Sequence, residues 1–157
     1  MDIAFFDMDK TFLTKSSSEF LVDALAPGMK NQVRSRFLHL KYLLGRIDIV
    51  DAVEEWFEMI GERSVEELDV IGEKLFNAKL LDLVNHKTLE IFRMHKEKGD
   101  KVVMITASLR FVANPVSEYF GFDDLICTEM ERKDNSWKLK LPVCFGEGKV
   151  KLANLGK

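Results

Sequence analysis

The chain has 157 residues, a hydrophobic fraction of 46% and a formal net charge of -3, which is the composition of an ordinary globular domain. The slightly acidic balance argues against general nucleic-acid binding, which requires a basic excess. No apolar run approaches the roughly 20 residues that cross a bilayer, and no secretory signal precedes the first strand. Cys127 and Cys144 lack metal-ligand spacing, so we expect buried packing residues in a cytoplasmic protein.

The first predicted element is a short buried strand over residues 3–6, because all four residues are apolar. Asp7 and Asp9 follow at the end of this strand, and Thr11 comes just after them. In open α/β sheets, ligands bind at the carboxyl ends of the strands. Two neighbouring carboxylates there destabilise the fold unless a bound cation offsets their charge. Carboxylate oxygens are hard ligands, which suit Mg²⁺. The pattern therefore predicts metal-assisted phosphate chemistry.

A helical segment is predicted from Ser16 to about Lys79. Apolar residues recur at helical spacing in four stretches, and the breaks between them fall at Pro27–Gly28, Gly45 and Gly61. Two capping-box patterns, Ser16 with Glu19 and Ser64 with Glu67, predict where two of these helices begin.

The second of these stretches is basic on one side and apolar on the other. We interpret it as an ordinary solvated helix, with contact to an anionic substrate or a membrane surface as the alternative. Met8 and the phenylalanines of the helical segment are interpreted as packing residues. The basic residues are Lys30, Arg34, Arg36, Lys41 and Arg46.

A second α/β portion follows the helical segment. Its first helix, through Leu89 and Phe92, is predicted to end at Gly99. Residues 102–105 then predict a buried parallel strand, with Thr106, Ala107 and Ser108 at its carboxyl end. The remaining predicted elements are a helix from Phe111 to Gly121, a short strand over 125–127, a hairpin around 134–136 with Trp137, Leu139 and Leu141 alternating, and a final helix containing Lys149. This order predicts a parallel sheet with a helical insertion after the first strand.

Three segments, taken together and in this order, resemble the haloacid dehalogenase (HAD) superfamily phosphohydrolases. They are the DxDxT pattern from Asp7 to Thr11, the apolar strand that ends in Thr106 and continues into Ala107-Ser108-Leu109-Arg110, and the segment 146–150 with its lysine. The chain looks most like the phosphoserine-phosphatase-like branch, subfamily IB. The resemblance implies an α/β fold: a Rossmann-like parallel-sheet core formed by residues 1–14 and 86–157, with a helical cap over 15–85.

The resemblance also implies a role for each matching residue. Asp7 would be the nucleophile, and the side chain of Asp9 would be the general acid and base. Mg²⁺ would be held by Asp7 and by the backbone carbonyl of Asp9. Arg110 is either a substrate contact or a surface residue. The implied phosphate-binding residues are Thr106, Lys149, Thr11, Ala107 and Ser108.

The family's fourth motif, an acidic strand end downstream of the lysine, is missing from the sequence, in which no aspartate follows Asp134. We favour a truncated form of a longer phosphatase. The alternatives are a degenerate module that binds a phosphorylated ligand or a protein partner, and supply of the carboxylate by Glu129, Glu131 or a second subunit. Without the corresponding strand the sheet would keep an open edge, which predicts self-association.

The predicted function is Mg²⁺-dependent hydrolysis of a small phosphorylated metabolite through an aspartyl-phosphate. Phosphoserine phosphatases carry a glutamate shortly after the DxDxT segment that contacts the substrate amine. Ser16 takes that position here, with Glu19 a helical turn beyond, so phosphoserine is not supported. A non-catalytic binding module is the alternative from a different class. A glycosyl transferase with an Asp-x-Asp metal site is disfavoured by the segments around Thr106 and Lys149.

Overall fold

The computed structural model describes residues 2–25, 27–134 and 136–155. Within these ranges four strands form one sheet in the order β1-β2-β3-β4. The strands β1 and β3 each pair in parallel with the central β2, and β4 pairs antiparallel with β3. The bounds of the strands are β1 Ile3–Phe6, β2 Lys101–Leu109, β3 Asp124–Lys133 and β4 Ser136–Lys140.

Seven α-helices accompany this sheet in the described ranges. Five of them lie between β1 and β2 in the chain, and the first four of these fall in the predicted helical insertion. The predicted α/β class, with a mostly parallel sheet and a helical insertion after the first strand, is therefore confirmed. The helices are α1 Ser18–Leu25, α2 Met29–Leu43, α3 Ile49–Ile60, α4 Val65–Leu75, α5 His86–Lys98, α6 Arg110–Phe120 and α7 Glu147–Leu155. Two short helical turns, Phe76–Leu80 and Leu81–Leu83, connect α4 to α5.

Several helix ends follow the local signals of the sequence. The capping box at the start of α4 is formed, because the Ser64 hydroxyl accepts a hydrogen bond from the Glu67 amide at 3.2 Å and the Glu67 carboxylate accepts one from the Ser64 amide at 2.8 Å. Gly99 and Gly121 end α5 and α6 in the left-handed conformation, with φ of 77° and 74°. Glycine adopts this conformation without the steric cost of a Cβ, so both predicted stops are confirmed.

Two strands are longer than predicted. The strand β2 continues to Leu109, so Thr106–Ser108 lie inside it, and its register against β3 shifts between Ile105 and Leu109. The strand β3 continues to Lys133 because its second half pairs with β4 in the predicted hairpin. Leu141 follows the end of β4 and is 68% exposed, so its predicted place in the inward alternation is wrong. The hairpin prediction also covers Asn135, which lies outside the described residues.

An aromatic cluster anchors the loop that follows β1. The fully buried ring of Phe12 lies 5.8 Å from that of Phe92 and 5.2 Å from that of Phe122, between centroids, and the Phe6 ring lies 5.7 Å from that of Phe92. Met8 is fully buried as well, which confirms its predicted packing role. Each buried aromatic side chain contributes roughly 1.5–3 kcal/mol. The loop between these anchors is therefore held firmly on the core.

The helical segment leaves and rejoins the rest of the chain at one place. The Thr14 amide donates to the Leu83 carbonyl at 2.7 Å, and the Asn85 amide donates to the Phe12 carbonyl at 2.8 Å. Farther along the segment, α4 lies so close to the start of α6 that a Cβ on Gly72 would overlap the Phe111 carbonyl oxygen. The division into a core of residues 1–14 and 86–157 and a cap of 15–85 stays a prediction.

The strand β1 lies at one end of the sheet that the structure describes. Ile3 is 46% and Phe5 42% exposed, so the prediction that the whole of this strand is buried is wrong. An edge with unpaired backbone groups and apolar side chains favours pairing with another chain. Self-association through this edge stays a prediction. None of the described helices combines the length and the apolar composition that crossing a membrane requires.

Candidate active site

The first candidate residues lie in a tight loop at the carboxyl end of β1. The amides of Phe12 and Leu13 donate to the carbonyls of Asp7 and Met8 at 3.1 and 2.8 Å, so each bond spans five residues. Lys10, inside the loop, has a φ of 59°. Because the apolar residues of the loop point into the core, its polar residues are turned towards the end of the sheet.

Asp7 is paired with the predicted lysine. The Lys149 ammonium, on α7, donates to Oδ1 of Asp7, although the two residues are 142 positions apart in the chain. The hydroxyl of Thr11 donates to Oδ2 of Asp7 at 3.3 Å. The Asp7 side chain is 36% exposed and the Lys149 side chain 28% exposed, so solvent reaches this pair. The structure thus brings together three of the predicted site residues.

Asp9 is held by a different set of groups. Its Oδ1 accepts a hydrogen bond from the Ser17 amide at 2.6 Å. Its Oδ2 accepts from the hydroxyl of Ser108 at 2.6 Å and from that of Ser17 at 3.3 Å. Ser17 is only 2% exposed and directly precedes α1, whereas Ser108 comes from β2. Two distant parts of the chain therefore fix the Asp9 carboxylate.

The second predicted segment lies beside this carboxylate. Thr106 is 1% exposed, and its hydroxyl oxygen accepts a hydrogen bond from the Ser108 amide at 3.1 Å. Ala107, between them, is exposed at the point where the register of β2 shifts. The Thr106 hydroxyl therefore supports the local backbone that carries Ser108. Phosphate binding by Thr106, Ala107 and Ser108 stays a prediction.

The segment before α7 determines where Lys149 lies. The Cys144 amide donates to the buried hydroxyl of Thr128 at 3.3 Å, which ties this segment to β3. A Cβ on Gly148 would overlap the carbonyl oxygen of Val143, so the start of α7 packs directly on the segment. The Lys149 ammonium is therefore positioned by contacts that its own side chain does not make.

Both cysteines are buried free thiols, as predicted. Burial, and next the Glu129 carboxylate, raise the pKa of Cys127 to about 12. Burial also raises the pKa of Cys144, against the opposing effect of the nearby Lys149 ammonium. A thiol with a raised pKa is a poor nucleophile at neutral pH, so both cysteines act as packing residues.

The glutamates considered as substitutes for the missing carboxylate have other partners. Glu129 accepts a hydrogen bond from Arg110 Nε at 2.7 Å, and Glu131 pairs with Lys133 at 2.8 Å. Arg110 itself is a surface residue whose side chain is 47% exposed. In the part of the chain that the structure describes, no group of three or more histidine, cysteine or acidic residues is placed to hold a metal ion.

Sequence reasoning missed Ser17, Thr128, Cys144 and Gly148 as contributors to this site. Ser17 and Thr128 belong to no recognisable sequence motif. Their hydrogen bonds join residues that are distant in the chain and meet only in the folded protein. Gly148 carried a usable signal, because a glycine next to a functional lysine at a helix start often marks a close backbone approach.

The similarity of the chain to known proteins agrees with its fold and with the arrangement of its candidate site. The family model of haloacid dehalogenase-like hydrolases matches residues 4–155. The chain therefore belongs to the haloacid dehalogenase-like hydrolase family. The resemblance inferred from the three sequence segments is confirmed, since similar proteins include phosphatases of this kind.

Two similar proteins come from Mycobacterium tuberculosis. A probable phosphatase is 26% identical over 155 residues, which cover 94% of this chain and 54% of that protein. A phosphoserine phosphatase is 28% identical over 157 residues, which cover 94% of this chain and 51% of that protein. The chain thus spans about half the length of the curated relatives it matches.

The fold is also found in a solved structure. A protein of unknown function from Bordetella pertussis superposes with a TM-score of 0.89 and 26% sequence identity, over 99% of this chain and 73% of that one. The arrangement of the sheet and the inserted helices is therefore one that has been observed in a crystal.

Proposed function

We propose that the chain carries the active site of a phosphomonoester hydrolase that acts on a small phosphorylated metabolite. The observation that supports this most strongly is the pairing of Asp7 with Lys149 beside a second, separately held carboxylate. An ammonium group next to a carboxylate offsets the repulsion between that carboxylate and an incoming phosphate. A nucleophilic aspartate needs this help because both reactants are anions.

In the proposed reaction an Asp7 oxygen forms a bond to phosphorus while the bond from phosphorus to the ester oxygen breaks. Asp9, in its protonated form, gives its proton to the departing oxygen, so the product leaves as an alcohol. Water then attacks phosphorus, Asp9 takes a proton from that water, and the bond from Asp7 to phosphorus breaks to release phosphate. Both carboxylates return to their starting states.

Mg²⁺ fits the donor chemistry of the loop that carries Asp7 and Asp9. The Asp7 carboxylate and the Asp9 backbone carbonyl offer hard oxygens, and Mg²⁺ is commonly held by one or two carboxylates together with substrate phosphate oxygens and water. These two oxygens are only part of the ligands that Mg²⁺ needs. This agrees with the finding that no group of three metal-binding side chains occurs among the described residues. When bound, the ion would supply positive charge against the phosphate oxygens.

The substrate is proposed to differ from phosphoserine. The relative named as a phosphoserine phosphatase makes phosphoserine the first metabolite to test. In that branch a glutamate contacts the substrate amine, and Ser16 takes its place here. The Ser16 hydroxyl lies 2.8 Å from that of Ser18, and a neutral hydroxyl has no charge with which to hold an ammonium group. We propose that residues 15–85 form the cap that selects a different phosphomonoester.

The test is phosphate release from p-nitrophenyl phosphate with and without Mg²⁺, by the chain and by its Asp7→Asn variant. Asp82→Asn, at an exposed position, is the matched control. We expect Mg²⁺-dependent release that Asp7→Asn abolishes and Asp82→Asn leaves unchanged. Equal release by the Asp7→Asn variant, or none by the unmodified chain, would overturn the proposal.

A second candidate function is a non-catalytic module that binds a phosphorylated ligand. The lack of a three-residue metal cluster in the described ranges favours it, because an incomplete metal site lowers turnover more than it lowers anion binding. In that case calorimetry would detect binding of inorganic phosphate that Lys149→Met weakens, while no phosphate is released from any ester. Turnover in the assay above would exclude this candidate.

A further inference from the structure

The helix α2 presents an apolar stripe to solvent. At 3.6 residues per turn, five apolar side chains of α2 and its C-terminal neighbour fall within about 80° of the helix circumference. Leu38, on the opposite side, is 2% exposed and packs against the protein. The exposed fractions of the stripe are Met29 80%, Val33 60%, Phe37 57%, Leu40 51% and Leu44 60%.

This orientation is the reverse of what a helix on a globular core adopts. Such a helix normally turns its apolar stripe inwards and its charged residues outwards, as α4 does with Leu68 and Leu75. A contiguous apolar patch of this kind on a surface marks a place of interaction. Phe37, at 57% exposed, is not the packing residue that was predicted, whereas the interpretation of α2 as an ordinary solvated helix stays a prediction.

The charged residues around the stripe are all basic. No acidic residue occurs from 29 to 46, although the whole chain has a net charge of -3. On the helix circumference Arg36 borders one side of the stripe, and Lys30, Lys41 and Arg34 border the other. The Lys41 ammonium lies 5.1 Å from the centre of the Phe37 ring. Cations thus flank the apolar residues on both sides.

We propose that α2 docks on an anionic membrane surface, with its apolar stripe at the boundary between head groups and acyl chains. An apolar face bordered by lysine and arginine is the composition of a helix that lies in this interface. The long basic side chains can keep their charges at the head groups while their stems lie along the apolar stripe. Each basic residue near such a surface strengthens binding about fivefold.

Charge complementarity favours this occupant over a second copy of the chain. In a two-fold symmetric contact the same surface meets itself, so the cations that border one stripe would face the cations that border the other. Like charges placed opposite one another oppose association. Anionic lipid offers an apolar layer to the stripe and negative charge to the basic residues that border it.

The experiment measures co-sedimentation of the full chain with vesicles of phosphatidylcholine, with and without phosphatidylglycerol. We compare the double variant Phe37→Ser, Leu40→Ser with the control Ile91→Ser, Met94→Ser, which changes apolar residues of α5 that are 50% and 66% exposed. All four side chains are on the surface, so both variants are expected to fold, as circular dichroism will verify. Binding to the anionic vesicles should fall by about tenfold or more in the α2 variant alone.

A second arm tests the charges. The double variant Lys30→Gln, Lys41→Gln should bind anionic vesicles about tenfold or more weakly, and added salt should reduce the difference. Equal binding to neutral and anionic vesicles, or no binding to either, would overturn the proposal. It would also be overturned if sedimentation equilibrium without lipid showed a dimer that the α2 variant dissociates, because a second copy would then be the occupant.

Discussion

Asp7 and Asp9 are two residues apart, yet they have different surroundings. Asp7 is partly open to solvent and contacts the Lys149 ammonium, whereas the hydrogen bonds to Asp9 come from the uncharged donors of Ser17 and Ser108. An ammonium partner offsets the repulsion between a carboxylate and an incoming phosphate. A hydroxyl can donate or accept, so the groups on Asp9 Oδ2 remain compatible with a proton on that oxygen. One short loop thus supplies two carboxylates whose different surroundings suit the different tasks proposed for them.

Apart from the loss of the proposed nucleophile, the largest expected effect comes from removing the proposed proton carrier, Asp9, alone. In Asp9→Asn the amide oxygen can still accept the hydrogen bond from the Ser17 amide, so the loop keeps its shape. We expect kcat/KM, which reports the step that releases the alcohol and not the later hydrolysis common to all substrates, to fall about 100-fold to 10,000-fold on an alkyl phosphate, whose departing oxygen needs a proton. The loss on p-nitrophenyl phosphate should be much smaller, because its leaving group departs as an anion. Equal losses on the two substrates would contradict the role given to Asp9.

An intermediate effect is expected from changing the surroundings of Asp7 alone. In Gly148→Ala the new Cβ overlaps the Val143 carbonyl oxygen, so the start of α7 must move and carry Lys149 away from Asp7. We expect kcat/KM to fall about 100-fold, in the range seen when one charge-stabilising donor is removed. The loss should be the same on alkyl and aryl phosphates, since it does not involve the proton on Asp9.

Gly72→Ala is the matched control for that substitution. Its Cβ overlaps the Phe111 carbonyl oxygen between α4 and α6, which is an equally crowded position that does not carry Lys149. Both variants should lose about 1–3 kcal/mol of unfolding free energy through overpacking, as urea titration will measure. Only Gly148→Ala should lose activity in the folded protein. A similar loss of activity in Gly72→Ala would show that general destabilisation, and not the lysine, accounts for the effect.

The smallest expected effect concerns the support of Asp9. Ser108→Ala removes one hydroxyl from Oδ2 while Ser17 remains, so kcat on an alkyl phosphate should fall about tenfold, as expected for one hydrogen bond to a charged group. KM should stay the same, and Ser108→Thr should restore most of the rate. If KM rises and kcat does not change, Ser108 binds the substrate phosphate, as the family resemblance implied.

The sequence predicted best where the signal is local. The apolar run before Asp7 gave β1, and glycines at 99 and 121 marked two helix ends, because these features depend on neighbouring residues. The pairing of Asp7 with Lys149 could be predicted because both residues match motifs of the family that the sequence resembles. The hydrogen bond from Ser17 to Asp9 was not, because it depends on how α1 begins. The stripe on α2 shows the limit of periodicity, which identifies an apolar face and leaves its direction undetermined.

The paired connections at residues 12–14 and 83–85 have a consequence for how this protein can be altered. Because the amide of Thr14 meets the carbonyl of Leu83, the two ends of the helical segment are a hydrogen bond apart. Insertions whose ends meet in this way can be exchanged or shortened with little strain on the host. Residues 12–14 and 83–85 are therefore suitable positions at which to replace the helical segment by another one. A graft that omits Ser17 would preserve the sheet and Asp7, the proposed nucleophile, yet it would leave Asp9, the proposed proton carrier, without its most deeply buried support.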